Sequence, residues 1–388
     1  MTDAGCEAGL ALGQALTENV LAPMKQAFVG KDEVIDLLGL CLVARENLFL
    51  LGPPGTAKSA LVQDLARRIE GQVFDYLLTR FTEPNEIFGP FDIRKLREGD
   101  LVTNTEGMLP EATFVFLDEL LNANSAILNS LLLVLNERVF RRGRETRHLP
   151  TLMVVGASNR LPEDDALGAL FDRFLLRVRC DNVEAEQLPL VLAAGWKLEL
   201  SRNGELTRYG IDDVRQLHGM LRSVDFAAVQ TSYVDLIHRL RHAGIMVSDR
   251  RAVKLQRVLA ASALLCGRLA VNQTDMWVLR YIWDTEEQQD VLSSIVEQVL
   301  GKASDEDKAA GHPRSRGAEL PDPEHLARDL EQISAKLTQG DLAATERSYV
   351  RDQLGLLAAR CQWVANQQQR DFLQQRVDSL WDGLGGRP

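Results

Sequence analysis

The chain has 388 residues, enough for two or three domains, and its apolar (45%) and charged (26%) fractions are typical of a globular protein. No apolar run is long enough to cross a bilayer, and Met1–Leu16 lacks the basic start and apolar stretch of a secretory signal. The net charge of −11 argues against a general nucleic-acid binder. The five cysteines are scattered, so we expect no zinc site and a reducing, cytoplasmic location.

Residues 17–45 have a helical pattern with a break at 28–30, and apolar runs follow that predict the strands of a buried parallel sheet. These runs are Leu48–Leu51, Phe114–Leu117, Leu152–Val155 and Leu175–Val178. Helical patterns separate them, so the predicted fold class is α/β, with helices on both faces of the sheet. Ligands of such sheets bind at the carboxyl ends of the strands, and the polar residues after the first three runs therefore point to one site.

A phosphate-binding loop follows the first run. Its residues are Gly52, Pro53, Pro54, Gly55, Thr56, Ala57, Lys58 and Ser59. The general pattern has glycine where Ala57 stands, and the residue after the loop, Ala60, is not assigned to the site. We expect Lys58 to neutralise the β- and γ-phosphates of ATP and Ser59 to ligate Mg²⁺. The alternative is an ordinary Gly/Pro turn before a helix.

Two further strand ends have residues suited to hydrolysis. Asp118 and Glu119 end the Phe114 run, with another apolar strand between them and the phosphate loop. Asp118 is expected to hold Mg²⁺ through water, and Glu119 to act as general base on the attacking water. Asn159 ends the next run and could orient that water. Solvated acids at a strand end and a turn-forming asparagine are the structural alternatives.

Three arginines are candidates for contacts with the γ-phosphate. Arg173 is expected at the edge of the sheet domain, too far from its own nucleotide, and could reach a neighbouring subunit's γ-phosphate as an arginine finger. In that case activity requires an oligomer. Arg250 and Arg251 open a later helix, where the helix dipole disfavours positive charge, so one of them could reach back to the phosphates. The alternatives are a surface arginine paired with a carboxylate and a pair of solvated charges.

The second half of the chain is predicted to be helical, with a cap at Thr274–Asp275 for a helix containing Trp277 and Trp283. The predicted domains are a nucleotide-binding domain (1–184), a helical lid (185–300), a linker (301–323) rich in Gly and Pro, and a C-terminal helical segment (324–388). Apolar spacing in that last segment predicts a helical hairpin or short coiled coil. The apolar positions are Leu326, Leu330, Ile333, Leu337, Leu354, Leu357, Cys361, Val364, Val377, Leu380 and Leu384.

The order of the motifs resembles an AAA+ ATPase, most closely the MoxR family and its RavA-like branch. The resemblance covers residues 17–285 and includes GPPGTAKS (52–59), LLTRFTEPNEIFGPFDI (77–93), GMLPEATFVFLDE (107–119), ASNRLPEDD (157–165) and ALFDRFLLR (169–177). The alanine at 57 is what this family shows. The resemblance implies a P-loop αβα sandwich with a parallel sheet, followed by an all-α lid.

The resemblance also implies roles for single residues. Lys58 and Ser59 match Walker A, Asp118 and Glu119 match Walker B, Asn159 matches sensor 1, Arg173 the arginine finger, and Arg250, with Arg251 second, sensor 2. Val29 and Gly30 match the segment that lies against the adenine. Hairpins are expected at 91–105 and about 138–149. The resemblance implies a protein that, as is usual for the family, forms hexamers and acts as a chaperone-like remodeller of client proteins, often with a partner that has a von Willebrand factor A (vWA) domain.

Three functions stay open at this point. The first is an ATP-driven remodelling motor that acts on an unidentified client protein. The second is a nucleic-acid-dependent ATPase, supported only by a basic cluster: Arg138, Arg141, Arg142, Arg144 and Arg147. The third is a nucleotide-gated adaptor that works through residues 324–384. His238 and His242 lie one helical turn apart, but they have no acidic or cysteine neighbours at metal-ligand spacing, so we read them as a solvated helix face.

Overall fold

The chain forms two compact units, Met1–Ser315 and Arg316–Pro388. The computed structural model describes residues 3–98, 102–142, 145–162, 164–200, 209–316 and 367–383, together with single positions between 327 and 357. Within this described part, no helix is both long and apolar enough to cross a membrane. The division of the first unit at 184/185 stays a prediction.

Five parallel strands form the central sheet of the first unit, in the order β2-β3-β6-β1-β7. The strands of this unit are β1 (Leu48–Leu51), β2 (Val73–Leu77), β3 (Phe114–Asp118), β4 (Val139–Arg142), β5 (Glu145–His148), β6 (Met153–Ser158) and β7 (Leu176–Arg179). All four predicted apolar runs are therefore confirmed as strands, and β2 is the strand expected between the phosphate loop and Asp118. Leu48 pairs in register with Val155 and Leu176, so the carboxyl ends of these strands meet at one edge.

The helices position the functional loops at that edge. They are α1 (Asp3–Leu16), α2 (Ala22–Ala27), α3 (Asp32–Ala44), α4 (Lys58–Arg68), α5 (Pro84–Phe88), α6 (Ile93–Arg97), α7 (Ser125–Glu137), α8 (Asp165–Phe171), α9 (Leu188–Leu200), α10 (Ile211–Met220), α11 (Gln230–His242), α12 (Asp249–Leu265), α13 (Gln288–Leu300) and α14 (Asp305–Ala310). Helix α4 begins at Lys58, so its first two residues are the last two of the phosphate loop. Helix α7 begins at the Asn124 cap, whose side-chain oxygen accepts from the amides of Ala126 and Ile127.

The hairpin expected at 138–149 is present, and the segment expected to form the other has one bridge between its ends. β4 and β5 form an antiparallel hairpin within 138–149. The segment 91–105 is closed by an antiparallel bridge between Phe91 and Thr103, and the short helix α6 lies between these two residues. Arg142 lies over the Phe91 ring at 3.9 Å from its centroid, so the β4–β5 hairpin contacts this segment.

A buried arginine fixes the helical half of the unit to the sheet. Arg177 lies on β7, is fully buried (0% exposed), and donates to the Trp283 carbonyl at 2.7 Å. It also pairs with Asp284 at 2.8 Å. Burial, together with the nearby cation Arg251, lowers the pKa of Arg177 to about 9. The guanidinium therefore stays charged at neutral pH and depends on these partners.

The helix predicted to contain both Trp277 and Trp283 differs from the expectation. It is a 3₁₀-helix, Gln273–Tyr281, that ends before Trp283. Its cap is Asn272, whose side chain accepts from the Thr274 amide while Asp275 accepts from the Asn272 amide. The prediction of a cap at Thr274–Asp275 is therefore wrong, because Asp275 is the far end of a capping box that begins at Asn272.

The start of the predicted linker 301–323 is packed structure. Residues 305–310 form α14, and the segment after it folds back onto the first unit. The His312 ring stacks on Trp277 with 4.6 Å between centroids, and Arg314 donates to the buried carboxylate of Asp36 at 2.8 Å. The Gly and Pro content that predicts a linker marks the turns of this packed segment instead, and residues 317–323 lie outside the described part.

The second unit has its own apolar cluster. Helix α15 (Gln367–Gly383) contributes to it together with two earlier stretches. The buried members are Leu330, Ile333, Val350, Leu354, Leu373, Val377, Leu380 and Trp381. This confirms the predicted apolar spacing where it is described. Because the cluster joins three stretches, it is larger than the seam of a hairpin. The predicted positions Leu326, Cys361, Val364 and Leu384 lie outside the described residues.

Candidate active site

The phosphate loop is held close to the end of β7. A Cβ added to Gly52 would lie 2.2 Å from the Cys180 carbonyl oxygen, so packing requires glycine there. Gly55 has a φ of +83°, which also favours glycine. Ala57, where the general pattern has glycine, adopts a left-handed backbone with φ 66°. The sequence departs from the pattern, but the backbone keeps the conformation for which the pattern uses glycine.

Lys58 is a buried cation whose described hydrogen-bond partners are neutral backbone carbonyls. It is buried (6% exposed), and its ammonium donates to the carbonyls of Gly52 at 3.0 Å and Pro53 at 2.8 Å. Within the described part of the chain, no carboxylate pairs with it. A buried charge bound only to neutral acceptors is stabilised strongly by an incoming anion, and the surrounding loop presents backbone amides suited to phosphate.

The segment expected against the adenine lies beside this loop. Gly30 has a φ of +72°, and an added Cβ would lie 2.7 Å from Val183 and 2.9 Å from the Gln187 side chain. The neighbouring Lys31 donates to the Asp181 carbonyl. The segment at Val29 and Gly30 therefore lies against residues 181–187. These residues directly follow Cys180, whose carbonyl lies beside Gly52 of the phosphate loop.

Asp118 and Glu119 end β3 two strands away from β1, with β6 between them. Asp118 accepts from the Glu119 amide at 2.9 Å through Oδ1, and its Oδ2 has no hydrogen-bond partner among the described residues. Glu119 has a left-handed backbone, with φ 50°. Such a conformation costs about 1 kcal/mol or more for a residue with a side chain, and it is found most often at functional sites.

Asn159 follows β6 and is exposed at the same edge. The next residue, Arg160, donates to the Asn122 side chain at 3.2 Å, in the turn directly after Glu119. This contact joins the ends of β3 and β6. Sequence reasoning missed Arg160, although an arginine directly after a candidate sensor residue was visible.

The donor atoms at this edge suit Mg²⁺ and a triphosphate. Ser59 offers a hydroxyl and Asp118 a carboxylate, and Mg²⁺ prefers such oxygen ligands together with phosphate oxygens and water. Lys58 and the loop amides suit the phosphates. We call this edge, defined by Gly52–Ser59, Asp118, Glu119 and Asn159, the nucleotide edge.

Arg173 lies at the other end of the sheet. It precedes β7, and its carbonyl accepts from the side chain of Asn47, which directly precedes β1, at 3.0 Å. The phosphate loop follows the far end of β1, so the two are separated by at least a four-residue strand, about 10 Å long. The guanidinium pairs with Asp172 at 2.7 Å, and its buried Nε has no hydrogen-bond partner among the described residues. Arg173 and Asn47 define what we call the opposite edge.

Asn47 is a residue that sequence reasoning missed. It is 1% exposed, donates to the carbonyls of Leu135 and Arg173, and accepts from Arg138 at 2.6 Å. Burial lowers the pKa of Arg138 to about 10. An isolated polar residue before a buried strand was the signal that could have found it. Asn47 therefore fixes the backbone that presents Arg173.

The two sensor 2 candidates have different surroundings. Arg251 is buried (5% exposed) and donates to the Met246 and Ile282 carbonyls and to Asp284. Its guanidinium is therefore bound within the helical half. Arg250 is exposed and donates to Asn136 at 2.8 Å, near the end of α7 remote from its Asn124 cap. The contact of Arg250 is therefore near the end of α7 that lies away from the nucleotide edge, and the role of either arginine as sensor 2 stays a prediction.

The basic cluster does not form one exposed patch. Arg138 is bound to Asn47, Arg142 donates to the Gly89 carbonyl at 2.7 Å, and Arg147 donates to Thr105 at 2.8 Å. Arg144 lies outside the described residues. Three of the five guanidinium groups make internal contacts, so these three arginines no longer support binding of a nucleic acid.

Comparison with known proteins identifies the two halves of the first unit. Residues 14–219 match the family profile described as the MoxR domain in MoxR–vWA–β-propeller ternary systems, and residues 229–296 match an AAA lid domain. Two uncharacterised proteins of Methanocaldococcus jannaschii are each 34% identical, over 74% and 70% of this chain and 77% and 72% of their own lengths.

The chaperone MoxR1 of Mycobacterium tuberculosis is 28% identical over 46% of this chain and 48% of its own length. A solved structure from Cytophaga hutchinsonii shares the fold, with a TM-score of 0.61 and 19% identity over 77% of this chain and 97% of that one. The phosphate loop, the parallel sheet, the lid and these matches agree, and the chain belongs to the MoxR family of AAA+ ATPases.

Proposed function

We propose that this chain is an Mg²⁺-dependent ATPase that acts in a homo-oligomer to remodel a client protein. The observation that supports it most is the nucleotide edge itself. A buried Lys58 without a counterion, the Asp118–Glu119 pair and Asn159 meet at adjacent strand ends. That arrangement suits phosphoryl transfer to water.

Each side chain at this edge has a distinct task in the proposed reaction. Lys58 and the loop amides would bind the β- and γ-phosphates. Ser59 and Asp118 would hold Mg²⁺, which would neutralise developing charge. Glu119 accepts a proton from the attacking water, and Asn159 orients that water. The left-handed backbone at Glu119 ends β3 directly before this residue, and the contact between Arg160 and Asn122 joins the ends of β3 and β6.

The site is completed by another copy of the chain in this proposal. Arg173 lies at the opposite edge and cannot reach its own γ-phosphate, but a neighbour's nucleotide edge could dock against it. Exposed Arg250, which lies away from its own phosphate loop, would then serve the same neighbouring nucleotide. A head-to-tail contact of this kind can close into a ring. We propose that the ring has six subunits, as is usual in the family that the sequence resembles.

A rigid loop couples the site to the proposed client. Phe81 is 90% exposed, yet its loop is ordered by the Thr79 amide, which donates to the Thr82 hydroxyl at 2.9 Å. Asn124 donates to the Thr82 carbonyl at 2.8 Å while it caps α7 directly after the Walker B turn. A shift of that turn during hydrolysis would therefore move an aromatic side chain that is available to an unfolded polypeptide.

We further propose a partner with a vWA domain, supported by the description of the matched family profile. Assignment to the RavA-like branch stays a prediction. The second unit, with its separate apolar cluster, is the candidate for partner contacts.

The test is subunit complementation with two inactive variants of the full chain. Glu119→Gln should bind ATP but lose hydrolysis by about 10²–10⁴-fold, since the general base is gone. Arg173→Ala should lose hydrolysis with its own Glu119 intact. Mixed together, the two should regain a fraction of wild-type turnover, because an Arg173→Ala subunit can receive Arg173 from a Glu119→Gln neighbour.

Glu18→Gln, an exposed carboxylate on the N-terminal helices, is the matched control and should keep full turnover. Unchanged hydrolysis in Glu119→Gln would refute the catalytic assignment. No recovery on mixing variants that still co-assemble would refute the shared site.

A further inference from the structure

A pocket near the amino ends of the strands is lined by three arginines. It lies between the end of α3, the segment 149–152 that leads into β6, and α10 with the turn after it. Its volume is about 500 Å³, within the range of small-molecule sites. The arginines are Arg45, Arg215 and Arg222, and His218 lies among them.

The charges of this pocket are not balanced by its own walls. No carboxylate is among the lining residues. Arg215 pairs with Asp212 at 2.9 Å, on the preceding turn of α10. Within the described ranges of the chain, neither the Arg45 nor the Arg222 guanidinium has a hydrogen-bond or ion-pair partner. The pocket is therefore positive in a chain whose net charge is −11.

Arg45 occupies a position where glycine is the favoured residue. It follows α3 with a left-handed backbone of φ 57°, and the Glu46 amide donates to the Cys41 carbonyl at 3.0 Å in a Schellman-type end. Glycine adopts this conformation without strain, whereas arginine does not. This strained backbone conformation therefore occurs at a residue that lines the pocket.

His218 lies among the three arginines of the pocket. It shares a hydrogen bond of 2.8 Å with the Leu42 carbonyl. Burial lowers its pKa to about 4, and repulsion from Arg45, Arg215 and Arg257 contributes to this. The ring is therefore neutral at physiological pH and adds no charge to the three guanidinium groups.

Compensation of helix dipoles explains only part of this arrangement. A cation near the carboxyl end of α3 or α10 is favourable by itself. Compensation of the two helix dipoles requires one cation at the carboxyl end of each helix. It does not require a cavity between the two helix ends. Three guanidinium groups around one concave space match the way proteins bind phosphate oxygens, through paired N–H donors.

We propose that this pocket binds a small molecule that carries a diphosphate group. A diphosphate offers enough charge and enough oxygens to contact three guanidinium groups at once, which a single carboxylate does not. The site is distinct from the phosphate loop, because it lies beside Pro150–Leu152 at the amino end of β6, whereas the phosphate loop follows the carboxyl end of β1.

The test uses the full chain with the phosphate loop disabled by Lys58→Ala, and pyrophosphate as the probe. Calorimetry should show binding at one site per chain in this variant. Adding Arg45→Glu and Arg222→Glu should weaken binding at least about tenfold, since removal of one charge-assisted hydrogen bond has that order of effect. Adding Arg94→Glu, at an exposed arginine on α6, should leave it unchanged.

Arg222→Gln adds no negative charge and should also weaken binding. It keeps the proposal testable if the chain with both Arg45→Glu and Arg222→Glu fails to fold. ADP in place of pyrophosphate separates the sources: tighter binding of ADP indicates a nucleotide ligand, and equal binding indicates recognition of the diphosphate alone. Absence of binding to the Lys58→Ala chain, or binding that survives the arginine substitutions in folded protein, would overturn the proposal.

Discussion

The nucleotide edge and the opposite edge of the same sheet present different chemistry. The nucleotide edge has one buried cation, Lys58, beside the acids Asp118 and Glu119. The opposite edge has arginines, of which Arg138 is bound by Asn47 and Arg173 is presented beside it. In the proposed function, the first edge would surround a metal–phosphate group and the second would supply positive charge to it. The difference is what the proposal of a site shared between two chains rests on.

The largest expected effect separates the two edges directly. Lys58→Ala and Arg173→Ala should each lower ATP turnover by about 10³-fold or more. Only Lys58→Ala should also abolish nucleotide binding at the phosphate loop, because the proposed contact of Arg173 is with a neighbour's nucleotide. Binding of a fluorescent ATP analogue, in chains that also carry Arg45→Glu and Arg222→Glu to remove the second phosphate pocket, measures the first quantity, and steady-state turnover measures the second. Arg241→Ala, at an exposed arginine in the helical half, is the control. Normal turnover in Arg173→Ala would show that the opposite edge has no part in hydrolysis.

A smaller effect is expected at Asn47, the positioning residue of the opposite edge. Asn47→Ala leaves buried Arg138 without its acceptor and should lower the free energy of unfolding by about 3 kcal/mol. It should also lower kcat with little change in KM for ATP. Denaturant unfolding and steady-state kinetics measure the two effects.

Asn47→Asp separates stability from positioning. It keeps an acceptor for Arg138 but cannot donate to the Arg173 carbonyl, so kcat should stay low while stability is partly restored. Asn19→Ala, at an exposed asparagine, is the control. A kcat that recovers fully in Asn47→Asp would show that Asn47 acts only on stability.

Burial of His218 in the arginine pocket predicts a pH effect on stability. The pKa of His218 falls to about 4 in the folded chain from 6.5, so the unfolded chain binds more protons between these values. The free energy of unfolding should therefore rise with pH there, and about 1.5 kcal/mol should be lost from pH 6.5 to pH 5. His218→Gln should flatten this part of the profile, measured in buffers without phosphate. An unchanged slope would contradict it.

The smallest effect is expected at the nucleotide edge. Ala57→Gly should raise the free energy of unfolding by about 0.5 kcal/mol, because relief of the left-handed strain slightly exceeds the added entropy of the unfolded chain. KM for ATP should stay the same. Thermal unfolding of the two proteins measures this, and a less stable Ala57→Gly would show that the alanine methyl makes contacts that outweigh the strain.

The sequence predicted the parts of this molecule that follow from local pattern. Continuous apolar runs identified β1, β3, β6 and β7, and glycine spacing identified the phosphate loop. Asn47 was not predictable in the same way, since its partners Leu135, Arg138 and Arg173 are distant in the chain and meet only after folding. The pocket around Arg45 and Arg222 was missed for the same reason.

Composition misled at residues 301–316. Glycine and proline predict a linker when the partners of the intervening residues are unknown. His312 and Arg314 have their partners, Trp277 and Asp36, far back in the chain. Local sequence therefore described the turns of this segment correctly and its packing incorrectly.

The packed segment has a practical consequence for dissecting the protein. A truncation placed at residue 301, where composition suggests a boundary, would remove Arg314 and His312 and leave the buried carboxylate of Asp36 with Lys25 as its remaining ion-pair partner among the described residues. Loss of ATPase in such a fragment would then report damage to the catalytic unit and not the role of the tail. A fragment that keeps the catalytic unit should instead end at Ser315, where the first compact unit ends. Exchanges of the C-terminal unit should begin at the next residue.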